Sequence, residues 1–125
     1  MSYAKLVWRC FFMAVSSDII RGHLDAIILK LIIEKDRYAY EISNEIRQRT
    51  QEAFSIKEAT LYALVQRLEK KDLISSYMGT KSHGSKRRYY KITTLGKAYF
   101  KERIKEWETL NTVMTQLLEV SNARD

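Results

Sequence analysis

The stretch SIKEATLYALVQRLEKKDLISSYMGTKSHGSKRRYYKI, residues 55–92, decides how this chain folds. It opens on Ser55-Ile56-Lys57-Glu58, the form of a capping box, in which the Ser55 hydroxyl accepts from the Glu58 amide and the Glu58 carboxylate reaches back to the Ser55 amide. A helix is expected to start there. Leu61, Leu64, Val65 and Leu68 then recur at i, i+3, i+4 and i+7, an apolar stripe for a core, while Lys57, Thr60, Ala63, Gln66, Arg67 and Lys70 fall on the other face, which is basic. Leu73 and Ile74 follow, then a short run over residues 75–78, a turn region over 79–85 with two glycines, and a second run over 86–92. Helix, strand, basic turn and returning strand is the order of a winged helix.

The bulk of the chain agrees with a small domain carrying this unit. At 125 residues and 46% hydrophobic content it supports one globular domain, since domains commonly run to ~100–200 residues. The formal net charge is +7, and residues 57–91 hold nine basic side chains against three acidic ones, so nearly all of the excess lies in one third of the chain. Charge concentrated on a helix and a hairpin points to a polyanion, of which nucleic acid is the commonest; the alternative is a solvated lysine-rich face. A lone cysteine, Cys10, excludes an internal disulfide and fits a reducing, cytoplasmic setting. Proline is absent, so no helix is kinked by one.

Outward from the central stretch, Leu24, Ile27, Ile28, Leu31 and Ile32 mark the buried face of a first core helix ending near Lys35. A second helix is expected over about residues 38–50, with Ile42 and Ile46 inward. Three helices and a hairpin enclose one small core, with the third helix placed as a helix-turn-helix reading helix. Residues 6–15 form an apolar run broken by Arg9, too short to span a bilayer, which needs ~20 residues. This run reads as a short extra helix on the domain or as part of a longer start preceding Met13, with secretion or membrane attachment as the competing readings; no stable membrane association is expected.

Thr93 is a good N-cap for a long helix to about Val120. Phe100, Trp107 and Met114 stand seven apart, with Leu110, Leu117, Ile104 and Leu118 beside them and Arg103 interrupting, a heptad-like seam of ~40 Å. The small core cannot cover that seam. A partner helix is required, and a second copy of the chain is its simplest source, making a homodimer. The expected fold class is therefore mainly α with a small β-hairpin (α+β): an N-terminal extension over 1–17, a winged helix-turn-helix over 18–93, and a C-terminal dimerisation helix and tail over 94–125.

Tyr40-Glu41-Ile42, Ala59-Thr60-Leu61-Tyr62, Arg67-Leu68-Glu69-Lys70, Leu73-Ile74, Lys86-Arg87-Arg88-Tyr89-Tyr90-Lys91-Ile92-Thr93 and Gly96 together resemble the PadR family, over about residues 21–107. Asp72 stands where the family pattern prefers glycine. The resemblance implies a dimeric winged-helix transcription factor with one C-terminal helix, of a kind of which several repress stress, detoxification or efflux genes and release DNA on binding a small molecule.

For double-stranded DNA with a pseudo-palindromic operator, phosphate neutralisation falls to Lys81, Lys86, Arg87 and Arg88 in the wing and Lys57 at the helix start. Base reading needs short polar or bidentate groups near the start of the inserted helix, which selects Thr60, Tyr62, Gln66 and Arg67; Tyr40 can donate to a phosphate, and both tyrosines can equally serve packing. Strand alternation puts Arg87, Tyr89 and Lys91 on one face and Arg88, Tyr90 and Ile92 on the other, and with Ile92 inside, Arg87 and Lys91 are expected to be the freer cations.

Trp107, with Ile104 and Asn111, is the candidate site for a small aromatic ligand, against a simple packing role for the ring. His23 and His83 stand sixty residues apart without a cysteine, carboxylate or serine at metal or triad spacing, so no enzyme, metal or cofactor is expected. The competing function is a winged-helix protein–protein interaction module without DNA readout.

Overall fold

The computed structural model describes residues 17–80 and 84–119, with side chains from residue 19 onward. The expectations for residues 1–15 and for Lys81 lie outside the described residues. In chain order the elements are α1 (Ser17–Ile20), a 3-10 turn (Arg21–His23), α2 (Leu24–Glu34), β1 (Arg37–Tyr38), α3 (Ala39–Arg49), α4 (Glu58–Lys70), β2 (Ile74–Thr80), β3 (Lys86–Ile92) and α5 (Thr94–Leu118). Helical periodicity placed most of the core: Ile28 and Ile32 of α2, Ile42 of α3 and Leu61 and Val65 of α4 are at most 1% exposed, each such burial contributing roughly 1.5–3 kcal/mol, while Leu29, which the periodicity did not mark, is fully buried and Ile27, which it did, is only partly so.

The sheet has three strands in the order β1-β3-β2, all antiparallel. A third strand is a departure from the sequence reading, which started a helix at Tyr38. Two residues carry too little alternation to be read as a strand, and β1 exists because β3 pairs with it, Arg37 opposite Tyr90 and Tyr38 opposite Tyr89.

A second correction concerns Ser55. The helix begins at Glu58, with Lys57 as an N-cap that makes no side-chain bond, and the expected capping box does not form. The link from α3 is held instead by Thr50, whose hydroxyl accepts from the Phe54 amide at 3.2 Å, while Phe54 and Ile56 pack on the core. Pulling those two side chains inward keeps the backbone extended through Lys57 (φ −68°, ψ 143°), so Ser55 lies three residues before the first helical turn. A comparable reach-back occurs at α3, where the Tyr38 amide donates to Glu41 Oε1 at 3.2 Å. At the far end of α4, Asp72 adopts φ +62°, a region that favours glycine and that aspartate is among the residues to tolerate.

Behind the sheet, Arg37 is buried at 7% exposure. Its Nε donates to the Leu31 carbonyl at 2.8 Å and its Nη2 to Glu34 Oε1 at 3.0 Å. Arg49 grips the same carboxylate with two bonds, of 3.0 and 2.5 Å. The Arg49 hydrogen bonds, with the one from Arg37 Nη2, hold the Glu34 carboxyl down to about 2 from an ordinary 4.5. A carboxylate whose pKa is depressed on folding stabilises the fold above its ordinary pKa and loses that contribution as the pH falls through the folded value. Denaturant unfolding measured from pH 6 to pH 2 is therefore expected to show stability declining between 4.5 and about 2, with Glu34→Gln less stable at pH 6 and the two curves converging toward pH 2. A constant gap across the range would mean that Glu34 contributes shape and not charge.

Helix α5 leaves the sheet through Thr93, whose hydroxyl accepts from the Gly96 amide at 2.9 Å and shares its own proton between the Asp72 and Leu73 carbonyls. Its first turns return to α2. Tyr99 donates to Asp25 Oδ2 at 2.7 Å, and Arg103 donates to the Gly22 carbonyl and to Asp25 Oδ1 at 3.4 Å. Arg103, read from the sequence as an interruption of the seam, is thus a tie to the chain's own domain. Among the described residues no helix is long and apolar enough to cross a membrane.

Candidate nucleic-acid interface

Burial of Leu61, Leu64, Val65 and Leu68 turns the opposite face of α4 to solvent, so Lys57, Thr60, Tyr62, Gln66 and Arg67 are all exposed. The hairpin rises beside this face. Between the start of α3, α4 and β3 lies a cleft of about 670 Å³ whose walls include Tyr40, Tyr62, Gln66, Glu69, Arg87 and Arg88. Lys57, Thr60 and Arg67 lie on the same helix outside the cleft, and Lys86 is exposed at the start of β3. Tyr40 and Tyr62 are 60% and 43% exposed, so neither is a core tyrosine.

The ranking of the wing cations needs correction. Arg87 is half-buried, its guanidinium 5.7 Å from the centre of the Tyr38 ring, a cation–π contact, whereas Arg88 is exposed. Alternation does put Arg88 on the face of the buried Tyr90, but cover from the helices ends at Tyr90. Two residues further along the strand, ~6.6 Å at 3.3 Å per residue, Arg88 has passed the edge of the core. Lys91 is exposed as expected.

Five residues that the sequence reading did not select, Glu69, Ser76, Tyr77, Gly79 and Tyr89, shape the wing. Arg88 Nη1 donates to Ser76 Oγ at 3.0 Å, and the Ser76 hydroxyl donates to Glu69 Oε2 at 2.6 Å. Tyr89, on the opposite face of the wing, stacks on Tyr77 at 5.6 Å and meets Tyr38 edge-on at 5.5 Å. Tyr77 is anchored by donating to Asp36 Oδ2 at 2.6 Å, a bond that pushes its phenol up to about 12. Gly79 is required beside this ladder, because a Cβ there would lie 2.5 Å from the Tyr89 ring. The hairpin register, Ser76 opposite Tyr90 and Met78 opposite Arg88, was the signal that could have placed Ser76 near Arg88.

At the other end of the molecule, the residues assigned to the helical seam divide into two groups. Phe100 packs on the chain's own core and Ile104 is half-buried, so both are largely occupied within the chain itself. Trp107, Leu110, Met114, Leu117 and Leu118 are exposed, and Val113, which the heptad reading omitted, is exposed with them. Ile104 and Trp107 form one wall of a mainly apolar groove of about 540 Å³ between α2 and α5, floored by Ile27, Leu31, Phe54 and Phe100. Asn111 is exposed outside this groove. No cluster of three or more histidine, cysteine, aspartate or glutamate side chains suited to a metal ion occurs among the described residues.

A helix-turn-helix core, a two-stranded wing beside the exposed face of the third helix, and a long helix leaving the wing define a winged-helix protein of the transcription-regulator class. Comparison with known families agrees with that class. The model of the transcriptional regulator PadR-like family matches residues 28–102, and the chain belongs to that family. An uncharacterised protein of Lysinibacillus sphaericus is 61% identical over 105 residues, 84% of this chain and 96% of the relative. Among solved structures, a transcriptional regulator from Clostridium thermocellum is 48% identical with a TM-score of 0.74, covering 80% of this chain and 97% of that one. A PadR-like transcriptional regulator from Bacillus cereus is 30% identical with a TM-score of 0.74, covering 84% and 100%.

Proposed function

We propose that this PadR-family regulator is a cytoplasmic, sequence-specific repressor that binds operator DNA as a homodimer and releases it when a small hydrophobic or aromatic molecule binds. The observation that carries the reading is the convergence of the exposed face of α4 and the basic wing on one cleft, with Gln66, Tyr62 and Arg88 on facing walls. In this reading Lys57, Lys81, Lys86 and Arg87 neutralise phosphates, Tyr40 donates to one, and Thr60, Tyr62, Gln66, Arg67 and Arg88 meet base edges. The exposed apolar side of α5 supports self-association, and the groove beside Trp107, within the ~300–1,000 Å³ usual for small-molecule sites, supports an effector.

The test is binding to duplex DNA by fluorescence anisotropy over a range of salt. Log affinity should fall linearly with log salt, and Lys86→Ala and Arg87→Ala should each lower the slope by about one while weakening all duplexes alike. Gln66→Ala should instead reduce discrimination between operator and random sequence, by ~1–3 kcal/mol if one base contact is lost. Salt-independent binding, or slopes unmoved by both wing substitutions, would transfer support to the protein-interaction module.

A further inference from the structure

Glu69 is out of place on a surface built for a polyanion. It lies in the last turn of α4, on the wall of the cleft, half-buried among Gln66, Arg87 and Arg88. A carboxylate there opposes phosphate binding by simple repulsion, so its presence calls for a structural reason. That reason is visible in its contacts: Glu69 Oε2 accepts the Ser76 hydroxyl at 2.6 Å, and Ser76 Oγ accepts Arg88 Nη1 at 3.0 Å. Resting on the DNA-binding reading above, we infer that Glu69 and Ser76 are positioning residues that aim the Arg88 guanidinium from the wing across the cleft, and so set the sequence discrimination of Arg88.

The direction of the relay follows from its chemistry. A serine hydroxyl has one proton, and the carboxylate takes it; the lone pairs of Oγ are thereby turned toward the wing, where they can only accept. Arg88 is the donor that meets them. The charged acceptor polarises the hydroxyl and strengthens the bond that Arg88 makes to it. One of the five N–H donors of Arg88 is used in this way, and the remaining edge of the fork is left for a base edge with paired acceptors, such as the O6 and N7 atoms of guanine. An exposed arginine would otherwise be ordered only when DNA arrives. Ordering it beforehand, against a Ser76 hydroxyl that is itself held by Glu69 of the recognition helix, reduces what binding must immobilise and ties the wing to the register of that helix.

A purely structural staple between β2 and α4 would need only the Ser76–Glu69 bond, and the two roles separate experimentally. Ser76→Ala is measured against the duplex that the wild-type protein recovers from a random-sequence pool, against a scrambled duplex of equal length, and by thermal unfolding. The expected result is a roughly tenfold loss on the selected duplex, little change on the scrambled one, and recovery in Ser76→Thr, which keeps the hydroxyl. Arg88→Ala should likewise lose affinity mainly for the selected duplex, and in that background the same Ser76→Ala change should have no further effect on affinity, because nothing is left to aim. Glu69→Gln should lower the ratio of selected to scrambled affinity even as the lost negative charge raises binding to both. Equal losses from Ser76→Ala with and without Arg88, or a fall in thermal stability that accounts for the whole effect, would overturn the relay and leave DNA binding intact. A wild-type protein that enriches no duplex would overturn the DNA reading and the relay together.

Discussion

Gly96→Ala is expected to be among the most destabilising single changes in this chain, removing about 3 kcal/mol of stability and lowering the melting temperature by on the order of 10 °C. Gly96 is buried in the first turn of α5. A Cβ at this position would fall inside the van der Waals radius of the Leu73 carbonyl oxygen and 2.7 Å from Ile92 Cδ1. Ile92 could rotate, but the carbonyl cannot withdraw, because it accepts both the Thr93 amide at 3.2 Å and the Thr93 hydroxyl at 3.0 Å. Relief therefore requires α5 to move away from the base of the hairpin, breaking the Thr93 cap and disturbing Leu73 and Ile74 in the core. Thermal unfolding followed by circular dichroism checks this, with Gly22→Ala as the control, since a Cβ at Gly22 meets nothing within 4 Å. A Gly96→Ala protein melting with the control would mean that the start of α5 slides freely.

Leu117→Asp and Leu110→Asp are expected to convert the proposed dimer into monomers. Leu110, Val113, Met114, Leu117 and Leu118 lie at i, i+3, i+4, i+7 and i+8 on α5, and all are exposed, Leu117 at 73%. Such a stripe is a helix face lacking its cover. Within a dimer each aspartate would be desolvated without a partner, at a cost of several kcal/mol, so association should weaken by a factor of ~1,000 or more. Sedimentation velocity over a concentration series reads this directly, and an unchanged melting profile at low concentration shows that the protomer still folds. Wild-type association retained by both variants would move the interface off this stripe. Operator affinity is coupled to the result, since paired half-sites about one helical turn apart, ~34–36 Å, demand two linked reading heads.

The helices were legible because each buries one face against a common core, which stamps a 3.6-residue period on the chain. Leu61, Leu64, Val65 and Leu68, or Ile28 and Ile32, could occupy no other face. The same holds for the basic wing, whose composition stands out over a third of the chain, and for the winged-helix order and family that these features define. What remained hidden depends on groups distant in sequence. Strand β1 is two residues long and exists only through its pairing with β3, and the start of α4 was set by the burial of Phe54 and Ile56, not by the Ser55 box. The exposure of Arg88 depended on where the core stops beneath the hairpin; Phe100 was claimed by the chain's own core, and Arg103 by a bond to the Gly22 carbonyl 81 residues away. Local periodicity records which face of an element is buried; only the tertiary structure decides how far that burial extends and which distant group meets each side chain at its edge, as Ser76 and Glu69 meet Arg88.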